Sequence, residues 1–137
     1  MGLNEVLKIE FTTITPTRVE AQLPISDDVR QMHGFVHGGT TLALLESVAS
    51  QGAEASVDIS RELPFGLNVN VTHRKSGVDG MLRGVAVLNR EEKSSKGYRK
   101  QFWDVAAYND AGDVLSDGSV LCLIVPKDVA TPNPHVK

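Results

Sequence analysis

Residues 40–55 most constrain what this chain can fold into. The segment Thr40-Thr41-Leu42-Ala43-Leu44-Leu45-Glu46-Ser47-Val48-Ala49-Ser50-Gln51-Gly52-Ala53-Glu54-Ala55 is dominated by Ala and Leu and predicts a helix. It is apolar nearly all round, and a helix of that kind is normally buried. The remaining chain must therefore wrap around it. Segments 5–14, 17–25, 65–75, 81–91, 98–109 and 113–125 read as strands. In the third of these, Leu67, Val69 and Val71 alternate with Asn68, Asn70 and Thr72, a period of two. Thr15-Pro16-Thr17 supplies a turn, and Ser26 to about Gly39 a loop. Gly77, Gly80, Gly97, Asn109-Asp110-Ala111-Gly112 and Asp117-Gly118 supply further turns or bulges. The order β-β-loop-α-β-β-β-β predicts an α+β fold, an antiparallel sheet wrapped around one long central helix.

With 137 residues the chain fits one domain, residues 1–137. Its end, 130–137, reads as a loose tail, because Pro132 and Pro134 oppose regular structure. A domain of this size buries about 68–70% of its unfolded surface, so neither metal nor disulfide is needed to hold it together. The lone Cys122 excludes an internal disulfide; within Val120-Leu121-Cys122-Leu123-Ile124-Val125 it reads as a small buried hydrophobe. A net charge of -3 provides no overall basic field for nucleic acid. The N-terminus lacks the basic and apolar regions of a signal peptide. No apolar run approaches the ~18 residues of a membrane span. The expected location is the cytoplasm, with no membrane association.

The chemistry concentrates around the helix. Glu46 lies between Leu45 and Ser47, and an ionised carboxylate buried without partners costs at least several kcal/mol. It therefore faces either a narrow solvent stripe or a cleft. Glu54, off that stripe, suits a solvated helix end. Ser50 at i+4 and Ala43 at i−3 share the Glu46 face, which leaves room for a substrate atom or a water. The Ser50 hydroxyl could equally bond back to its own helix. Gly38-Gly39 immediately precede the helix, whose start offers unpaired N–H groups and a positive dipole end. Glycine admits a substrate oxygen there, as an oxyanion site requires, although a plain turn would use the same residues. His33, His37 and His73 invite a metal reading with Glu46. The four-residue spacing of His33 and His37 suits ligands on a helix, but Gly34, Gly38 and Gly39 oppose a helix, so no metal is expected.

The string Gly34-Phe35-Val36-His37-Gly38-Gly39, followed by Leu42, Glu46-Ser47 and Ser50, resembles the signature of the hotdog-fold acyl-CoA thioesterases. The branch it resembles contains the 4-hydroxybenzoyl-CoA, 1,4-dihydroxy-2-naphthoyl-CoA and phenylacetate-pathway enzymes. The similarity runs from about Arg18 to Pro126 and includes Gly66-Leu67-Asn68-Val69-Asn70-Val71-Thr72-His73 and Arg83-Gly84-Val85. His37-Gly38-Gly39 with Glu46 nine residues after the histidine carries most of it.

The resemblance implies hydrolysis of an aromatic or medium-sized acyl-CoA, with Glu46 as nucleophile or general base. It implies that the Gly38 N–H polarises the carbonyl and that Gln31 helps hold that oxygen or the acyl group. His37 would position the thioester near its sulfur, and Ser50 would bind Glu46 or the attacking water. His73 falls near the acyl pocket, with Ser47 and Gly39 beside the substrate. The family site lies between subunits, so a homodimer or a dimer of dimers is implied. No cofactor is, since CoA is part of the substrate. Two features depart from the pattern: Met32-His33 precede Gly34 where Pro-Phe is common, and 89–99 looks longer. That region contains Arg90, Lys93, Lys96 and Arg99, which with Arg74 and Lys75 are candidates for the CoA phosphates. The other readings are a non-catalytic acyl-CoA sensor, a hotdog 3-hydroxyacyl-thioester dehydratase and a metal-dependent hydrolase.

Overall fold

The computed structural model describes residues 2–130. The elements run α1 (Leu3–Val6), β1 (Glu10–Ile14), β2 (Arg18–Pro24), a 3-10 turn (Asp27–Val29), α2 (Gly38–Ala55), β3 (Glu62–His73), β4 (Met81–Lys93), β5 (Arg99–Tyr108), β6 (Val114–Pro126) and α3 (Lys127–Ala130). The six strands form one sheet in the order β1-β2-β4-β5-β6-β3, every neighbouring pair antiparallel. Helix α2 touches all six strands. This is the α+β arrangement that the helix and strand pattern predicts, and the hotdog fold that the resemblance implies.

Alternation in the strands decides which face meets the helix. Val19, Ala21 and Leu23 of β2 and Trp103, Val105 and Ala107 of β5 point inward and are buried. They pack on Leu44, Leu45, Val48, Ala49 and Ala53 of α2, each fully buried. Burial of each large aliphatic among these contributes about 1.5–3 kcal/mol. The sheet has two edges, β1 and β3. On β3, Phe65 and Leu67 stay exposed, and the register shifts between Gly66 and Asn68.

Two expectations change. Residues 5–9 are not strand: Leu3–Val6 make one helical turn, closed by Leu7 N–H to Leu3 C=O at 2.9 Å and Ile9 N–H to Asn4 C=O at 2.9 Å. Lys8 takes φ +60, which breaks extended backbone, and β1 starts at Glu10. Ala130, expected in the loose tail, ends α3; residues 131–137 of that tail lie outside the described residues. Across residues 89–99, β4 runs to Lys93, β5 begins at Arg99, and a tight turn with Gly97 at φ +82 joins them, as the strand segments 81–91 and 98–109 predict.

Candidate active site

The loop before α2 is a miniature hairpin. Arg30 and Val36 form a bridge, the Gln31 N–H donates to Phe35 C=O at 2.8 Å, and the Gly34 N–H donates to Gln31 C=O at 3.0 Å. Gly34 sits at φ +92, which a β-carbon would disfavour. The backbone N–H of His33 donates to the Gln31 side-chain oxygen. That bond assigns the amide: its oxygen is used inside the loop, and its NH2 remains for another acceptor. Met32 at the tip is 91% exposed.

Where this loop enters α2, His37 is the capping residue. Its N–H donates to Val29 C=O at 2.8 Å, and its Nδ1 accepts the N–H of Gly39 at 2.8 Å. A neutral His37 therefore carries its proton on Nε2, which is available to a ligand. Gly39, expected to face substrate, spends its N–H on this cap. The Gly38 N–H has no partner among the described residues. One donor at the helix start is thus consumed and its neighbour is left open. His73 completes this half of the site. Its Nδ1 lies 2.7 Å from Ser116 Oγ, and its Nε2 is 2.9 Å from where a β-carbon on Gly38 would stand. Gln31, Phe35, Gly38, Thr41, His73 and Leu115 line a cavity of about 340 Å³ here.

Glu46 stands on a different surface. It is half-buried, and its carboxylate lies against Gly66 of β3. Asn4, Ala43, Glu46, Ser47, Ser50 and Gln51 line a groove of about 350 Å³. Ser47 Oγ donates to the Asn4 side-chain oxygen at 3.0 Å, tying α1 to the groove. Among the described residues Ser50 makes no hydrogen bond to Glu46; its hydroxyl instead lowers the pKa of the Cys122 thiol in β6. Burial pushes that thiol up to about 11; the Ser50 hydrogen bond opposes the shift and the Glu46 charge adds to it. Glu46 follows Gly38 by eight residues on the same helix, about 12 Å along the axis. The cavity and the groove therefore present the donors and the carboxylate separately within one chain.

The basic candidates divide. Arg74 pairs with Asp117 at 2.8 Å and Lys75 with Asp113 at 2.6 Å, beside the Gly38 cavity. Lys75 and then Asn109 hold the Asp113 carboxyl below its usual range. Arg99 pairs with Glu62 at 3.4 Å and Glu91 at 3.3 Å; Arg90 pairs with Glu92 and stacks 3.8 Å over the Phe102 ring. Lys93 and Lys96 are exposed around the hairpin tip. Arg74 and Lys75 bond to Leu115, whereas Arg99 is in register with Ile124, so the two groups lie about 30 Å apart along β6. Within one chain they cannot grip one nucleotide together.

Gly66 and Cys122 beside Glu46 went unassigned as site residues in the sequence. The available signal was a glycine in a period-two strand, which often marks close approach of another group. Among the described residues, no group of three or more His, Cys, Asp or Glu could hold a metal ion. No helix among them is long and apolar enough to cross a membrane.

Residues 5–124 match the family described as "Domain of unknown function (DUF4442)". The 1,4-dihydroxy-2-naphthoyl-CoA hydrolase of Listeria monocytogenes is 30% identical over 115 residues, covering 84% of this chain and 89% of that protein. The enzyme of the same name from Escherichia coli K12 is 28% identical over 106 residues, covering 77% and 74%. Among solved structures, a Staphylococcus aureus thioesterase with a glutamine replaced by alanine superposes with a TM-score of 0.84 at 27% identity, covering 90% of this chain and 98% of that one. The same Staphylococcus protein was also solved with a glutamate replaced by alanine.

Proposed function

Because this chain belongs to the DUF4442 family of hotdog thioesterases and is an acyl-CoA thioester hydrolase, we propose that Glu46 is its catalytic carboxylate. The open N–H of Gly38 and the NH2 of Gln31 receive the thioester carbonyl oxygen. The Nε2–H of His37 stands near the sulfur. The acyl group, aromatic or medium-sized, enters the cavity beside His73. The relatives named as 1,4-dihydroxy-2-naphthoyl-CoA hydrolases support an aromatic acyl group.

One observation carries this reading: the helix start caps the Gly39 N–H internally and leaves the Gly38 N–H open, beside a loop that orients a free amide NH2. Preorganised donors of this kind stabilise the oxyanion of the tetrahedral intermediate, each worth roughly 2.7–4 kcal/mol in the barrier. Glu46 supplies electrons in one of two ways. Its oxygen adds to the carbonyl carbon, the C–S bond breaks to release CoA thiolate, and water then cleaves the anhydride. Alternatively it takes a proton from water, whose oxygen adds to the same carbon; the C–S bond then breaks and the departing CoA thiolate takes up a proton. Both routes end in free acid and CoA, and neither calls for a cofactor. The ~12 Å between Gly38 and Glu46 supports the reading that the donors facing a given Glu46 come from a second copy. The exposed edge strand β3, with Phe65 and Leu67, offers a surface for that pairing.

The test is a thiol-release screen of purified protein against a panel of acyl-CoA esters, without added metal. Turnover of benzoyl-type esters is expected; saturable binding of every ester with no turnover would overturn the reading.

A further inference from the structure

Gly66 lies on β3, opposite Cys122 of β6, at the residue where the strand register shifts. A β-carbon built there would stand 2.3 Å from Glu46 Oε2, 3.1 Å from its Cδ and 3.4 Å from its Cγ. These are the three nearest atoms to that point, and all belong to one side chain. Gly66 does not occupy the left-handed region, so the backbone does not demand glycine. What demands it is the space taken by the carboxylate. Elsewhere on β3, side chains at Phe65 and Leu67 flank the notch and stay exposed.

We propose that Gly66 is a positioning residue for the hydrolysis: by lacking a side chain it leaves the notch in which the Glu46 carboxylate is seated. The inference rests on the reading of Glu46 as the catalytic carboxylate. The physical asymmetry makes it testable. The atoms a β-carbon would displace are the far end of a flexible side chain on a half-exposed surface, so the fold loses little when they move. Catalysis loses much, because a displacement of about 1 Å in a reacting group can cost a hundredfold in rate.

The experiment is a double-mutant cycle on acyl-CoA hydrolysis, with thermal unfolding recorded for each variant. Gly66→Ala is expected to lower kcat by at least about tenfold while KM changes less than about twofold, because the carboxylate rather than the substrate site moves. Glu46→Asp withdraws the carboxylate by one methylene from the position that a β-carbon contests. In that background Gly66→Ala is therefore expected to have little further effect on kcat. Wild-type kcat in Gly66→Ala overturns the proposal. So does an equal fractional loss whether Gly66→Ala is made in the wild-type or the Glu46→Asp background, which would mark a general defect of β3. Full activity in Glu46→Gln would instead remove the underlying reading, independently of how Gly66→Ala behaves.

Discussion

The indole of Trp103 fills the space that a side chain at Gly52 would need: a β-carbon there would stand 2.3 Å from Cη2 and 2.8 Å from Cζ2. Trp103 is fully buried, and its Nε1–H donates to Gln101 Oε1 at 3.1 Å. Gln101, itself buried, donates from Nε2 to Ser56 Oγ and Glu91 Oε1. The ring is thus pinned at its polar end and cannot retreat freely from the helix. Gly52→Ala should therefore destabilise the protein. Alanine gains about 1 kcal/mol of helix propensity, but forcing a methyl into a packed core costs typically 1–3 kcal/mol. A lowered thermal midpoint is expected, and a raised one would show that α2 and β5 separate easily.

Glu46→Gln should lower acyl-CoA turnover at least about a hundredfold, since the amide can neither attack nor accept a proton as the carboxylate does. The side chain is half-buried and makes no ion pair among the described residues, so the thermal midpoint should stay close to wild type. Thiol release and circular dichroism on the same preparation separate the two effects.

The elements best legible in the sequence are those whose pattern is local. Residues 40–55 announce α2 because Ala and Leu recur on every face, and the structure extends it only to Gly38. The α1 turn was not legible: Val6 and Ile9 suit a strand, and only the left-handed Lys8 breaks it. The site divides along the same line. His37, Gly38 and Gly39 are neighbours in sequence, so a helix-start site could be read directly. That the His37 ring caps Gly39 and leaves Gly38 open depends on a rotamer that composition does not encode. Gly66 meets Glu46 only through the packing of β3 against α2, a long-range contact invisible to spacing. The split of Arg74 and Lys75 from Arg99 is invisible for the same reason.

His37 serves two ends, and substitutions can separate them. His37→Ala removes a helix cap, which typically costs about 1 kcal/mol, and also removes the Nε2 donor. Asparagine is a strong capping residue. His37→Asn should therefore recover most of the lost thermal stability while hydrolysis stays depressed. Recovery of both together would reduce His37 to a cap.

Cys122 yields a pH dependence whose sign follows from its surroundings. Burial first, and the Glu46 charge after it, raise the thiol from an ordinary 9.0 to about 11, against the opposing Ser50 hydrogen bond. A folded-state value above the unfolded one means that the fold favours the protonated thiol. The stabilisation is fully present below pH 9 and is lost as pH rises through about 11. The unfolding midpoint should fall over that window, and Cys122→Ala should flatten the fall. At pH 8 the native thiol should resist a disulfide-exchange reagent and react only when the protein unfolds, because the thiolate is the reactive form and this one is buried. Rapid labelling of native protein at pH 8 would mean that β6 opens at the Glu46 groove.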